Sequence, residues 1–232
     1  MHTAEQTETT GTPPGYLPTP RTTPTRLRER AQYDRVTVHR ILDEALICHF
    51  AYVTGGRPVV LPTFHARVDE TLYLHASTGS GPLLALKASP TGLEVCVTVT
   101  LVDGLVLARS AFHHSLNYRS VVVVGTPRLV QTETEKRRAL DALVDHVVPG
   151  RSHDTRRPTG KELAATAVLA LDLNEVSAKV RAGDPGDDLD DMALPHWAGV
   201  VPLTLAAGTP MPAADLDPAV PLPPYLEAYR RT

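Results

Sequence analysis

The stretch Leu72-Tyr73-Leu74-His75-Ala76-Ser77-Thr78-Gly79-Ser80-Gly81-Pro82 carries the densest chemistry in the chain. A strand-like run ends in a histidine, hydroxyls and glycines follow, and Pro82 stands where a helix would open. Glycines let backbone come close to a ligand, and the free N–H groups of a first helical turn favour an anion. Together they can hold a phosphate monoester without a P-loop, although a polar strand-to-helix turn that binds nothing would read the same. A second segment, Arg109-Ser110-Ala111-Phe112-His113-His114-Ser115-Leu116-Asn117-Tyr118-Arg119-Ser120, places Arg119 between a tyrosine and a serine at the end of apolar strands. A guanidinium so placed can fork around phosphate oxygens. In Glu175-Val176-Ser177-Ala178-Lys179-Val180-Arg181, alternation puts Ser177, Lys179 and Arg181 on one face. Trp197, the single tryptophan, can stack on a flat ligand or simply pack.

Other chemistries lack their signals. No G-x-G-x-x-G follows a strand, Gly160-Lys161 has neither the glycine nor the hydroxyl of a P-loop, and Gly79-Ser80-Gly81 does not have nucleophile-elbow spacing. His113 and His114 are adjacent, so on a strand they point to opposite faces and could share one ion only across a bulge or turn; metal binding is disfavoured. Cys48 and Cys96 sit in apolar runs and read as buried, reduced thiols.

The chain has 232 residues, 42% hydrophobic and 21% charged, which suits one domain with a substantial core. A formal net charge of -3 offers no basic footprint for nucleic acid. No run of ~18 apolar residues implies a membrane span, and Met1 to Thr25 has no basic-then-apolar block of a secretory leader. A cytoplasmic protein acting on a small molecule is expected. Arginine far outnumbers lysine, a bias of GC-rich bacterial genomes.

The elements that must position these residues follow from the pattern. Residues 1–30 form a Thr/Pro-rich arm without the apolar groups to order it, 31–205 the domain, and 206–232 a Pro-rich tail. A short helix is expected near 37–45, with Thr37 as its cap. Strands 46–54 and 57–68 flank a Gly55-Gly56 hairpin turn, and 93–102 and 105–112 flank Asp103-Gly104, a second hairpin signal. Residues 71–75 and 118–130 read as strands, 132–148 as an amphipathic helix with Leu140, Leu143, Val144 and Val147 on one face, and 161–166 as a short helix. Strands 167–173 and 175–181 pair around Asn174, and the acidic run 184–191 reads as a solvated loop. Strands at hairpin spacing with inserted helices predict a mainly β fold, a six-stranded antiparallel barrel.

These segments resemble the pyridoxamine 5'-phosphate oxidase-like FMN-binding split-barrel family, in its flavin-nucleotide-binding and nitroimidazole-resistance-like branch. The matching residues are Arg57 to Phe64, His75 to Ser80, Ser110 to Ser120, Val176 to Arg181 and Trp197 to Val200, so the likeness runs from about Arg35 to Leu205. The resemblance implies a homodimer with FMN between the subunits, the ring against Pro62 to His65. By the same likeness Thr63 and Phe64 would line the ring and His75, Ser77, Thr78, Gly79 and Ser80 the phosphate side. Asn117, Tyr118 and Arg119 would reach the flavin from the adjacent strand, and Lys179, Arg181 and Trp197 across the dimer. Two departures stand out: Gly81 occupies the place where relatives carry an arginine or lysine, and Trp197 is followed by Ala198-Gly199-Val200-Val201 in place of the arginine-rich signature of true pyridoxamine phosphate oxidases. Vitamin B6 oxidation is therefore not expected.

The leading reading is an FMN-dependent oxidoreductase on a nitro-aromatic, a quinone-like compound or a specialised metabolite, with His75 or Tyr118 as proton relay. The alternative is a storage or sensor protein holding FMN, or haem through His75, His113 or His114. A third is a barrel that has lost its cofactor, for which Gly81 is the clue.

Overall fold

The structure, a computed structural model, describes residues 15–230. The first half of the expected arm lies outside the described residues. The elements run β1 (Ala31–Gln32), α1 (Arg35–Glu44), β2 (Ile47–Thr54), β3 (Arg57–Val68), β4 (Thr71–Ser77), α2 (Gly81–Ala88), β5 (Val95–Leu107), β6 (Ser115–Gly125), β7 (Arg128–Leu129), α3 (Glu133–Val147), α4 (Gly160–Ala165), β8 (Thr166–Asp172), β9 (Glu175–Arg181), β10 (Gly199–Pro202) and α5 (Pro224–Glu227). All strand pairs are antiparallel, in the order β1-β9-β6-β5-β2-β3-β4-β8-β7, with β10 added to β5. This is a mainly β fold with inserted helices, as expected of a split barrel.

The split has a definite place. Arg57 to Phe64 of β3 pair with β2, whereas His65 to Val68 pair with β4. One strand thus serves two half-sheets, and a cleft opens at Pro62 to Phe64, where β3 has left β4. Proline is tolerated there because the strand's far edge needs no N–H donor. The β2–β3 turn uses Gly55 and Gly56 at φ 55° and 72°, the positive angles that a tight two-residue hairpin demands.

Alternate residues of β2, β4, β5 and β6 (Cys48, Phe50, Leu72, Leu74, Val97, Val99, Val121, Val123) fill the interior, and α1 contributes Val38, Ile41 and Leu42 to it. A second cluster lies outside the sheet, where Ala139 and Leu140 of α3 cover Tyr73, Val130, Val168 and Ala170. Strand β8 stands between the two clusters, which explains its unbroken buried run from Ala167 to Leu171. Burial pushes the Cys48 thiol up to about 12 and raises that of Cys96; neither forms a disulfide.

Several expectations need correction. Asp34, not Thr37, caps α1, its carboxylate accepting from the Thr37 N–H at 2.8 Å. Asp103-Gly104 is not a hairpin turn: β5 runs straight through it with a bulge between Val102 and Gly104. The glycine is there for close approach, since a Cβ would lie 3.0 Å from the Val200 side chain and 3.1 Å from the Val201 carbonyl oxygen of β10. Strands β8 and β9 do not pair with each other; β8 joins β4 and β7, β9 joins β6 and β1, because the chain crosses between half-sheets at 173–174. The acidic run is not wholly solvated either, for the buried Asp187 carboxylate accepts from the Arg109 backbone N–H (2.9 Å) and guanidinium (2.8 Å). The described part of the amino-terminal arm is held down: Tyr16 is buried, donates to Glu70 at 2.9 Å and lies 2.8 Å from His39 Nε2.

Candidate functional site

Strand β4 organises the site through its period of two. Leu72 and Leu74 belong to the barrel core, while Tyr73 belongs to the cluster under α3. His75, two residues on from Tyr73, therefore presents its side chain on the α3 face. Cavities lie on both faces.

The inner one, about 230 Å³, is the cleft where β3 parts from β4. Phe50, Leu61, Pro62, Thr63, Leu74, Ala76, Ser80 and Pro82 line it, together with His75 and Leu169 of β8. Two segments singled out from the sequence are thus brought together. Ser80 occupies the N-cap of α2 without capping it, and its Oγ is buried with no hydrogen-bond partner among the described residues. A buried hydroxyl left unpaired at the free end of a helix costs about 1–3 kcal/mol unless something fills the cleft. The cleft thus fits the phosphate end of a flavin. Ser77, Thr78 and Gly79 form the exposed turn before it, pinned by Thr78 N–H to Ala165 O at 3.1 Å. Gly81 has a packing reason: a Cβ there would lie 3.0 Å from the Tyr52 hydroxyl.

The outer cavity, about 550 Å³, lies between the β3–β4 surface and the helices α3 and α4. Phe64, Leu140, Leu143, Val144, Val147 and Leu163 form apolar walls, His75 stands on the sheet side, and Arg151, Arg156 and Glu162 also line it. No hydrogen bond of the His75 imidazole is present among the described residues, which leaves a ring nitrogen available as a ligand. Arg156 is forked onto Glu162 at 2.9 and 2.7 Å, which holds that carboxyl down to about 2, with the Thr159 cap contributing. An apolar slot edged by an imidazole and by Arg151, with the Arg156 charge matched by Glu162, can take a flat ligand that carries an acidic group.

The remaining expected residues are placed elsewhere. In the sheet, β5 and β2 separate β6 from β3, so Asn117, Tyr118 and Arg119 are not on an adjacent strand and do not line the cleft of their own chain. Asn117 donates to Gly183 O at 3.1 Å and accepts from Arg181, and Tyr118 sits opposite Arg181. Arg119 is clamped by Asp103 (2.9 and 2.7 Å) and by both oxygens of Glu44, and these carboxylates raise its already high pKa. Lys179 reaches the Arg26 carbonyl at 3.4 Å, and Trp197 is exposed, its ring lying where a Cβ on Gly199 would collide. His113 and His114 lie around a 3-10 turn rather than in a strand; His113 faces Asp188 at 3.2 Å and His114 Nδ1 donates to Ser110 O at 3.0 Å. His113 groups with the loop carboxylates of Asp188 and Asp191, ligand atoms within 4.8 Å of one another. Sequence reading missed Arg151 and Arg156. The available signal was the α3 stripe Leu140, Leu143, Val144, Val147, wider than the sheet it covers: Leu143 is 6% exposed but Val144 39%.

A strand that switches sheets and a cleft at its switch point define a split barrel with a ligand site in the split. The family model for pyridoxamine 5'-phosphate oxidase matches residues 34–180. The chain belongs to this flavin-binding family. None of the curated proteins matches it. Among solved structures it is similar to the flavocytochrome Anf3 from Azotobacter vinelandii, with 38% identity over 94% of this chain and 100% of that one at a TM-score of 0.86. It is also similar to the FAD and haem binding protein from Mycobacterium smegmatis, with 40% identity over 87% and 98% at 0.81. A candidate 5-nitroimidazole antibiotic resistance protein from Bacteroides thetaiotaomicron shares the fold, with 22% identity over 65% and 86% at 0.55. Among the described residues, no helix is long and apolar enough to cross a membrane.

Proposed function

We propose that the chain is a redox protein that carries a flavin in the β3–β4 cleft and a haem in the cavity on the other face of β4, and works as a flavin-dependent oxidoreductase. The observation that supports it most is the back-to-back arrangement: Leu74 and Ala76 line the cleft alone while His75 also lines the apolar cavity, so β4 forms a wall shared by two sites of different chemistry. The relatives at 38% and 40% identity are described as a flavocytochrome and as binding FAD and haem. The family resemblance points to FMN, whereas the 40%-identical relative, described as binding FAD and haem, favours FAD in this cleft. When bound, the pair would supply two-electron chemistry at the flavin and single-electron chemistry at the haem.

In this reading Pro62 and Thr63 would hold the flavin ring, Phe64 would divide cleft from cavity, and Ser77 to Ser80 with the first turn of α2 would take the phosphate. His75 would hold the haem iron, because it lines the outer cavity whereas His113 and His114 do not. Asn117, Tyr118, Arg181, Lys179 and Trp197 act from the second subunit of a homodimer. Exposed apolar residues on the strands, Ile47, Val60, Phe64 and Leu116 among them, support that dimer. Two cysteines without a disulfide suit a reducing cytoplasm. The run Ala198 to Val201 leads into and forms β10, so it supplies no arginine cluster, and vitamin B6 oxidation stays outside the proposal.

The visible spectrum of protein purified from cells supplied with a haem precursor tests this. Flavin bands together with a Soret band, both changing on addition of reduced nicotinamide or dithionite, are expected. Acid extraction would release an adenine-bearing flavin. A protein with neither chromophore that takes up neither on addition would end the reading.

A further inference from the structure

The two arginines of the outer cavity are not equivalent. Arg156 spends its fork on both oxygens of Glu162, so its charge is matched on the spot. Arg151 uses a single nitrogen: Nη1 donates to Asp154 Oδ2 at 3.2 Å and to the Tyr225 hydroxyl at 2.8 Å. Its Nε and Nη2 have no partner among the described residues. The Tyr225 hydroxyl in turn donates to the same Asp154 oxygen at 2.5 Å. Tyr225 stands in α5, at the far end of the Pro-rich tail, and Tyr229 just beyond it donates to the carbonyl of Val147 at 2.9 Å. Val147 ends α3 and lines the cavity. The tail therefore returns to the cavity edge and fastens there through two phenols, one of them shared with the cavity's under-used cation.

We propose that Tyr225 is a positioning residue for anion recognition at the outer cavity. By donating to Asp154 and accepting from Arg151 Nη1, it keeps the carboxylate from taking over the guanidinium and leaves Nε and Nη2 for a carboxylate carried by a planar apolar ligand. This rests on the haem reading and adds to it the group that reads the ligand's acidic edge. Filling the cavity and docking the tail are then coupled, each favouring the other by the same free energy.

The probes are hemin and hemin dimethyl ester, whose two carboxylates are masked, titrated into the full-length chain and followed in the Soret region. Wild type should bind hemin more tightly than the ester. Tyr225→Phe should lose about three- to tenfold in hemin affinity, keep its affinity for the ester, and keep the Soret position set by the axial ligand. Arg151→Lys, which retains charge but not the fork, should lose the preference as well. Thermolysin cleavage in residues 209–223 should slow when hemin is bound to wild type and less so in Tyr225→Phe. Equal weakening toward both probes would mean a merely structural tyrosine and overturns the proposal, as does an unchanged preference. Failure of wild type to bind either probe would remove the haem reading and this inference together, an outcome distinct from the other two.

Discussion

On the inner face of β4, Leu74 and Ala76 join Phe50, Pro62 and Thr63 around a cleft of about 230 Å³ into which a helix N-terminus and the unpaired Ser80 hydroxyl open. On its outer face, His75 looks across about 550 Å³ at the apolar side of α3, with arginines at the edge. The inner face offers neutral dipoles at close quarters, while the outer one offers width, a soft ring nitrogen and cations. That difference follows from chain order. Apart from Leu169 of β8, the inner cleft is made by consecutive elements, β2, β3, β4 and α2, so most of its residues crowd into short motifs. The outer cavity needs α3 and α4, which come far later in the chain, after β5, β6 and β7.

Filling one face without touching the other sharpens the contrast most. Val144→Trp places a large ring in the outer cavity from a partly exposed helix position, so hemin affinity should fall at least about tenfold while flavin content per chain stays at the wild-type level. Loss of flavin in that variant would mean that the faces are not independent. Arg119 provides the counter-case to Arg151. It already answers Glu44 and Asp103, so Arg119→Ala should cost about 1–3 kcal/mol of stability by stranding two half-buried carboxylates, read as a lowered urea midpoint. Hemin affinity should be unaltered.

A smaller effect separates the faces in the opposite sense. Ser80→Ala removes an unpaired buried hydroxyl, so the flavin-free protein should gain about 1 kcal/mol while flavin affinity falls about three- to tenfold; hemin affinity should not move. The smallest effect concerns pH. Arg156 holds the Glu162 carboxyl down to about 2 from its ordinary 4.5. The folded pKa lies below the unfolded one, so this pair's support for α4 is complete above about 4.5 and is lost as pH falls toward 2. Acid melting of Glu162→Gln should show a shallower slope in that window than wild type, and identical slopes would dismiss the pair as a contributor to the cavity wall.

Legibility in the sequence tracks this same divide. The Gly55-Gly56 hairpin, the β4 run, the turn at Ser77 to Ser80 and the α3 stripe were all readable, because periodicity and turn chemistry are local. The Asp103-Gly104 pair misled, since a dipeptide signal cannot tell a turn from a bulge where another strand presses close. The β8–β9 pairing misled for a related reason: neighbours in sequence were sent to different half-sheets by burial on both faces of β8. Arg119 looked like an anion clamp until the fold brought Glu44 and Asp103 to it. Arg151 was silent, because nothing around it in the chain announces that Tyr225 and the outer cavity meet there.

The most direct measurement is the spectrum of His75→Ala beside wild type, both purified with haem precursor supplied and both assayed for extractable flavin. A β4 strand that divides two sites predicts that the variant loses the Soret signature of histidine ligation and keeps its flavin. Retention of an unshifted Soret band, or loss of flavin and haem together, would contradict it.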